Sequence, residues 1–203
     1  MWCVETTAVN GPFPKSSRLR GFGVPEDDYD RLAEISGVYK DGGRELEQVE
    51  LATELELFSI ASADAIPGMF KADSGALVIT ETVRETIERL DPGAHQISPL
   101  QATNRGEPIA GAECFQLNVW RRLPTVIDEG SAVVERKGFD GKVRRRLELV
   151  ERRVRASAAA GDGLHLWRDS SYPQALFMAD ALAEPLRDAG LLRVVPMFRV
   201  ETA

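Results

Sequence analysis

Cysteine is scarce: Cys3 and Cys114 are the only two in 203 residues. Thiols so few make neither a disulfide framework nor a zinc-ligand pattern, and a reducing compartment is the expected home. Histidine is equally rare, with His95 and His165 alone. Neither has a ligand partner at metal-binding spacing in the sequence, so no metal site is expected. Long apolar runs are missing too. The longest are about four residues, far short of the roughly 20 that a membrane-spanning helix needs. The opening MWCVETTAVNGPFPK has no basic n-region and no apolar h-region, which predicts no signal peptide and a cytoplasmic protein. No G-x-S-x-G occurs, and Gly21-Phe22-Gly23 and Gly161-Asp162-Gly163 lack the spacing and the Lys-Ser/Thr ending of a phosphate loop. No cofactor is expected. A catalytic group would have to be assembled from distant residues such as His165, Ser170 and Asp128, and the chain reads as a non-enzyme.

The charge that is present is unevenly placed. Residues 1–70 hold thirteen acids and six bases, so the whole formal charge of -7 lies there. The other 133 residues hold nineteen of each and cancel. Such a regional acidic field favours basic partners and speeds encounter with them. This sets residues 1–64 apart as an acidic, loop-rich N-terminal region, broken by Asn10-Gly11-Pro12, Pro14, Gly21, Gly23 and Pro25. A short helix is expected after Pro25, with Glu26, Asp27 and Asp28 at its positive end. In QVELATELELF, Val49, Leu51, Thr53, Leu55 and Leu57 alternate with Gln48, Glu50, Ala52, Glu54 and Glu56. That alternation predicts a half-buried strand with an acidic solvent face.

A phrase then occurs twice. GALVITETVRETIERLDPGAHQISPL, residues 75–100, returns as QALFMADALAEPLRDAGLLRVVPM, residues 174–197, apart from an extra Asp91-Pro92 in the first copy. The lead-ins also match in kind, Met69-Phe70-Lys71 against Leu166-Trp167-Arg168. Ala76–Ile79 and Ala175–Met178 read as strands covered on both faces. Val83, Ile87 and Leu90, like Leu182, Leu186 and Ala189, follow helical spacing. A capping box is expected from Thr82 and Glu85, Asp180 is expected to cap the second helix, and Pro185 should fall in its first turn. Gly93 and Gly190 should stop the helices, followed by strands at Gln96–Ser98 and Arg193–Val195. Glu85 and Glu184 recur, yet a carboxylate early in a helix is favoured by the macrodipole alone. The phrase answers a packing need rather than a chemical one: each amphipathic unit must bury its apolar face against the other or a shared sheet.

Between the copies, Cys114–Arg122 reads as a strand and AVVERKGFDGKVRRRLELV as a hairpin around Gly138–Gly141. Nine bases lie from Arg136 to Arg155. A nucleic-acid-binding or adaptor role for this hairpin is the alternative function. The interleaved aromatics of a stacking platform are missing, which disfavours nucleic acid. A solvated face, or ion pairing with the acidic segment, is the preferred reading. The fold class predicted is α+β, a mixed sheet with two similar strand-helix-strand units and a central β-hairpin.

HLWRDSSYPQALFMADALAEPLRDAGL resembles the closing segment of immunity-protein family 11 of bacterial polymorphic toxin systems. ALVITETVRETIE and LNVWRRLPTVIDEGSAV agree with it, so the resemblance covers about residues 65–200. It implies an α+β domain at 65–203 and a cytoplasmic antitoxin that binds and occludes a cognate toxin domain, often a nuclease. A nuclease must present a basic surface to phosphate. Charge placement, not the family, nominates Asp27, Asp28, Glu50, Glu54 and Glu56 as the partner-binding acids that steer a basic toxin. No membrane is expected.

Overall fold

The computed structural model describes residues 1–5, 17–25, 27–41, 43–137, 141, 143–161 and 163–203. The expectations for Asn10–Pro14, for Glu26 and for the hairpin tip at 138–140 lie outside them. In chain order the strands are β1 (Trp2–Glu5), β2 (Ser17–Arg20), β3 (Glu54–Leu57), β4 (Met69–Lys71), β5 (Leu77–Thr80), β6 (Gln96–Asn104), β7 (Glu107–Asn118) and β8 (Arg122–Leu123). They continue with β9 (Val126–Ile127), β10 (Val133–Lys137), β11 (Val143–Leu147), β12 (Arg155–Ala156), β13 (Leu166–Asp169), β14 (Ala175–Met178), β15 (Met197–Arg199) and β16 (Glu201–Thr202). The helices are α1 (Tyr29–Asp41), α2 (Glu81–Leu90) and α3 (Asp180–Asp188). This is an α+β fold with mixed sheets. One large sheet runs β2-β3-β6-β7-β5-β4 and the other β15-β1-β14-β13-β8, while β16-β12-β9 and the ribbon β10-β11 stand apart. Residues 1–64 thus contribute strands to both large sheets.

The repeated phrase is a repeated structure. In the first copy β4, β5, β7 and β6 lie side by side, each antiparallel to the next. In the second, β13, β14, β1 and β15 do the same. The place taken by β7 in the first copy is filled in the second by the N-terminal strand. Register carries the equivalence to single residues: Ile79 pairs with Phe115, and its counterpart Met178 pairs with Trp2. A helix arginine covers each of these aromatics, Arg84 over Phe115 at 5.1 Å and Arg187 over Trp2 at 4.9 Å.

Alternation along the strands explains three cores. Leu77, Ile79, Leu176 and Met178 point to a central cluster shared with Val83 and Ile87 of α2 and Leu182, Ala183 and Leu186 of α3. Phe70 and Val78 point the other way, into a cluster closed by Ile35 and Tyr39 of α1. Trp167 and Phe177 point into a third, their rings stacked at 5.9 Å. Both faces of β5 and β14 are therefore covered, which is why their sequences are uninterrupted apolar runs.

Several boundaries differ from expectation. Gln48–Glu50 is a 3-10 turn and only Glu54–Leu57 is strand. The helix after Pro25 is thirteen residues long, and Asp28 Oδ1 accepts the Arg31 N–H at 3.1 Å. Thr80 and Ala179, not Thr82 and Asp180, are the N-cap residues, so the Thr82–Glu85 capping box does not form. Pro185 lies in the second turn of α3, past where the sequence suggested. Both Pro185 and Ala181, whose carbonyl the proline leaves unbonded, are exposed, so water can satisfy that group. Gly93 and Gly190 do take left-handed backbone, φ 65° and 71°. The strand that follows α3 is Met197–Arg199 rather than Arg193–Val195. The central strand runs Glu107–Asn118, beginning well before Cys114, and the hairpin arms fall as expected.

The copies dock reciprocally at the starts of β4 and β13. Met69 N–H donates to the Leu191 carbonyl that follows α3, at 3.1 Å. Leu166 N–H donates to the carboxylate of Asp91, which follows α2, at 2.9 Å. Gly68 permits the first contact, since a Cβ there would stand 2.6 Å from the Leu191 Cβ. Gly68→Ala is expected to destabilise by about 1–3 kcal/mol through overpacking. Gly37→Ala, in the open on α1, should raise stability by roughly 0.5–1 kcal/mol. Thermal unfolding of both variants checks this; equal shifts would sink the reciprocal junction.

Candidate partner surface and the buried carboxylates behind it

Asp27 and Asp28 are exposed ahead of α1. The other three nominated acids are not a solvent face. Glu50 is wholly buried. Its carboxylate accepts two hydrogen bonds from Arg44, at 2.6 and 2.8 Å, and one from the Glu47 N–H at 2.8 Å, and it pairs with Arg31 at 2.7 Å. Hydrogen bonding from Arg44, outweighing the opposing effect of burial, holds the Glu50 carboxyl down at about 2. Arg44 also reaches Glu34, at 3.2 Å. Glu56 is 7% exposed and pairs with Arg20 of the neighbouring strand at 2.5 Å. Glu54 is half-buried and accepts the Thr103 hydroxyl at 3.0 Å. Alternation misassigned Glu50 because the chain turns at Gln48–Glu50, which swings Val49 out to 48% exposure and the carboxylate in. Within the acidic segment Arg20, Arg31 and Arg44, from the same region, pair with Glu34, Glu47, Glu50 and Glu56. Of the hairpin bases, Arg136 pairs with Glu148 and Arg145 with Asp128, so the expected pairing of hairpin and acidic segment does not account for them.

Both histidines converge on Asp91, the residue added in the first copy. Asp91 is 4% exposed and accepts the N–H groups of His165 and Leu166 at 2.9 Å. His165 Nδ1 lies 2.8 Å from its Oδ1, and His95 Nε2 stands 3.5 Å from Oδ2. Burial pushes His95 below the ordinary histidine range, against the pull of Asp91, and keeps it neutral near pH 7. A second buried carboxylate, Asp169, accepts N–H groups from Thr125, Val126, Ser171 and Tyr172 at 2.7–2.8 Å. Beside it the buried Arg168 donates to the carbonyls of Val119, Pro173 and Tyr39, tying α1 to the second sheet. Asp128 accepts the Tyr172 hydroxyl at 2.7 Å, and the Ser170 N–H goes to Leu123. His165, Ser170 and Asp128 are thus engaged with three different partners.

The immunity protein family (Imm11) matches residues 37–195, well over half of the chain. The chain belongs to this family. No curated protein matches it. The Imm11 match begins inside α1 and ends before β15, so it takes in the first copy, the second as far as Val195, the Asp91 junction and the hairpin. Its span includes Glu50, Glu54 and Glu56 and leaves out Asp27 and Asp28. Among the described residues no group of three His, Cys, Asp or Glu is disposed to hold a metal ion. No described helix is long and apolar enough to cross a membrane.

Sequence reasoning missed the roles of Asp91, Arg44 and Arg168. Only Asp91 left a signal, as the insertion that breaks an otherwise matching repeat. Asp91→Ala would strand the buried Leu166 N–H and the part-buried His165 N–H and is expected to cost about 2–4 kcal/mol, seen as a lower denaturant midpoint. For Glu50 the folded-state carboxyl lies below the ordinary 4.5. Its stabilisation is therefore complete above about pH 4.5 and is lost as pH falls towards 2. Glu50→Gln should lower stability at pH 7 and flatten the dependence between pH 4.5 and 2; parallel curves for the variant and the parent would refute the pairing.

Proposed function

We propose that this chain is the antitoxin of a polymorphic toxin system, a non-enzymatic cytoplasmic protein that binds a cognate toxin domain, such as a nuclease, and neutralises it by non-covalent occlusion. The family match across both repeats carries the reading. The buried polar groups fit a rigid binding scaffold: Glu50, Asp91 and Asp169 each spend their oxygens on arginine or backbone donors that fasten one element to another. A preorganised surface loses little entropy on association.

The toxin contact we propose includes the acids Asp27 and Asp28, open to solvent, together with the half-buried Glu54, and Glu50 and Glu56 acting through the arginines they hold. A basic toxin surface would be steered by such charges, which act mainly on the association rate. Tagged protein should retain one stoichiometric toxin-bearing partner from its native cells, and co-expression should rescue cells from the toxin domain encoded beside it. Toxicity undiminished by co-expression would end this reading. Asp27→Lys with Asp28→Lys should slow association several-fold at low salt and leave dissociation nearly unchanged. Unaltered association kinetics would remove the steering role.

A further inference from the structure

His95 lies in the turn between α2 and β6, and its ring is sealed in: its side chain is 1% exposed, as is that of Asp91. Neither ring nitrogen has a hydrogen-bond partner among the described residues. Nε2 stands 3.5 Å from Asp91 Oδ2, beyond the roughly 2.7–3.2 Å of a working hydrogen bond. A buried polar ring without partners costs stability. An apolar ring would fill the same space at no such cost, so packing does not account for a histidine here.

The charged groups that face it come from three elements. Its own turn supplies the Asp91 carboxylate, whose oxygens already accept the N–H groups of His165 and Leu166. The end of β7 leads to Arg121, stacked over the Trp120 ring at 4.2 Å. The residue ahead of β13 is His165, with Nδ1 2.8 Å from Asp91 Oδ1 and a side chain that still reaches solvent. Burial is the largest influence on a proton at His95 and opposes it; Asp91 favours the proton and Arg121 opposes it, so the ring sits below the ordinary histidine range.

We infer that this cluster is a pH-sensitive clasp between the two repeats: a proton taken up by His95 from solvent draws the Asp91 carboxylate off the Leu166 and His165 N–H groups and frees the start of β13. A sealed imidazolium must find an anion, and the atom nearest to it, Asp91 Oδ2, is the one that holds both backbone donors at 2.9 Å. Moving the ring out to water instead would open the same turn. The opposite contact of the junction, Met69 N–H on the Leu191 carbonyl at 3.1 Å, is made by backbone groups that do not titrate, and it holds. Acid thus unfastens one repeat contact without unfolding the chain. The folded His95 value lies below the unfolded one of about 6.5. The stability that rests on its neutral ring is therefore complete above that pH and is lost as pH falls below it. Glu50 releases its own contribution lower, from about 4.5 towards 2, so the two windows are separate. The clasp stands independently of the antitoxin reading.

The test is amide exchange of the full chain, residue by residue, between about pH 7.5 and about pH 5, with the ring titrations of both histidines followed alongside. Protection of the Leu166 and His165 N–H groups should fall by about tenfold or more across that range, while Met69 keeps its protection. His95→Phe should hold Leu166 at its neutral-pH protection throughout, and His95→Gln provides the same check with a smaller side chain. His165→Gln should keep the acid response. A His95 ring that titrates at or above the ordinary value, Leu166 protection that ignores pH, or an acid response that survives in both His95 variants would each overturn the inference. So would a response abolished by His165→Gln, which would assign the titration to the other histidine. Leu166 and Met69 losing protection together would mean global unfolding rather than release of a clasp, and would overturn it as well.

Discussion

The Asp91 carboxylate is the point on which the two halves turn. It takes backbone N–H groups from His165 and Leu166 at the start of β13, while the Leu191 carbonyl takes the Met69 N–H at the start of β4. Each repeat thus closes over the other's helix stop, and α2 and α3 bury their apolar sides in one central core. The two contacts are chemically unlike. After α3 a Schellman-type stop, with Leu191 N–H on the Leu186 carbonyl, leaves the Leu191 carbonyl free to accept. After α2 the inserted Asp91-Pro92 changes the path, and a side-chain carboxylate does the accepting. Two backbone donors and a histidine ring on one carboxylate leave it little freedom, so the junction fixes the repeats' register as well as their contact.

Charge is spent in two ways in this chain. In the N-terminal region two acids are internal, Glu50, which ties Arg31 and Arg44 to the turn beneath α1, and Glu56, which pairs across β2 and β3, while Asp27, Asp28, Asp30, Glu34, Glu45, Glu47 and Asp64 are exposed. On the ribbon Arg136, Arg144, Arg145 and Arg146 are all exposed, projecting from a base packed on the third core, with Arg136 paired to Glu148 and Arg145 to Asp128. Formal charge read along a sequence measures neither surface, because burial and pairing decide how much of it another molecule meets.

Much of the fold was legible because periodicity reports burial directly. The continuous runs at Leu77–Ile79 and Ala175–Met178 are strands with a core on each face, and Val83, Ile87, Leu182 and Leu186 are the buried stripe of their helices. Gly190 stops α3 because glycine takes φ near +70° without cost, and Gly93 takes the same backbone in the turn after Asp91 has ended α2. The errors share a cause. Gln48–Leu57 alternates perfectly, yet a turn in its first half reverses which residues face in, and alternation has no sign until the chain's path is known. Pro185 seemed confined to a first turn, but an exposed face lets water take the carbonyl it leaves unbonded. The strand after α3 moved past Pro196 because the Schellman turn and the residues packing behind it consume Leu191–Val195.

By itself the sequence determined the α+β class, the two strand-helix-strand units, the hairpin and the family, all of which rest on contacts between near neighbours or on pattern. Only the tertiary structure decided that β1 completes the second repeat, that Glu50 and Glu56 lie inside, and that Asp91 gathers both histidines. Those facts join residues far apart along the chain, Trp2 to Met178 and Asp91 to His165. Sequence spacing cannot express a contact whose geometry is set by how separate elements pack.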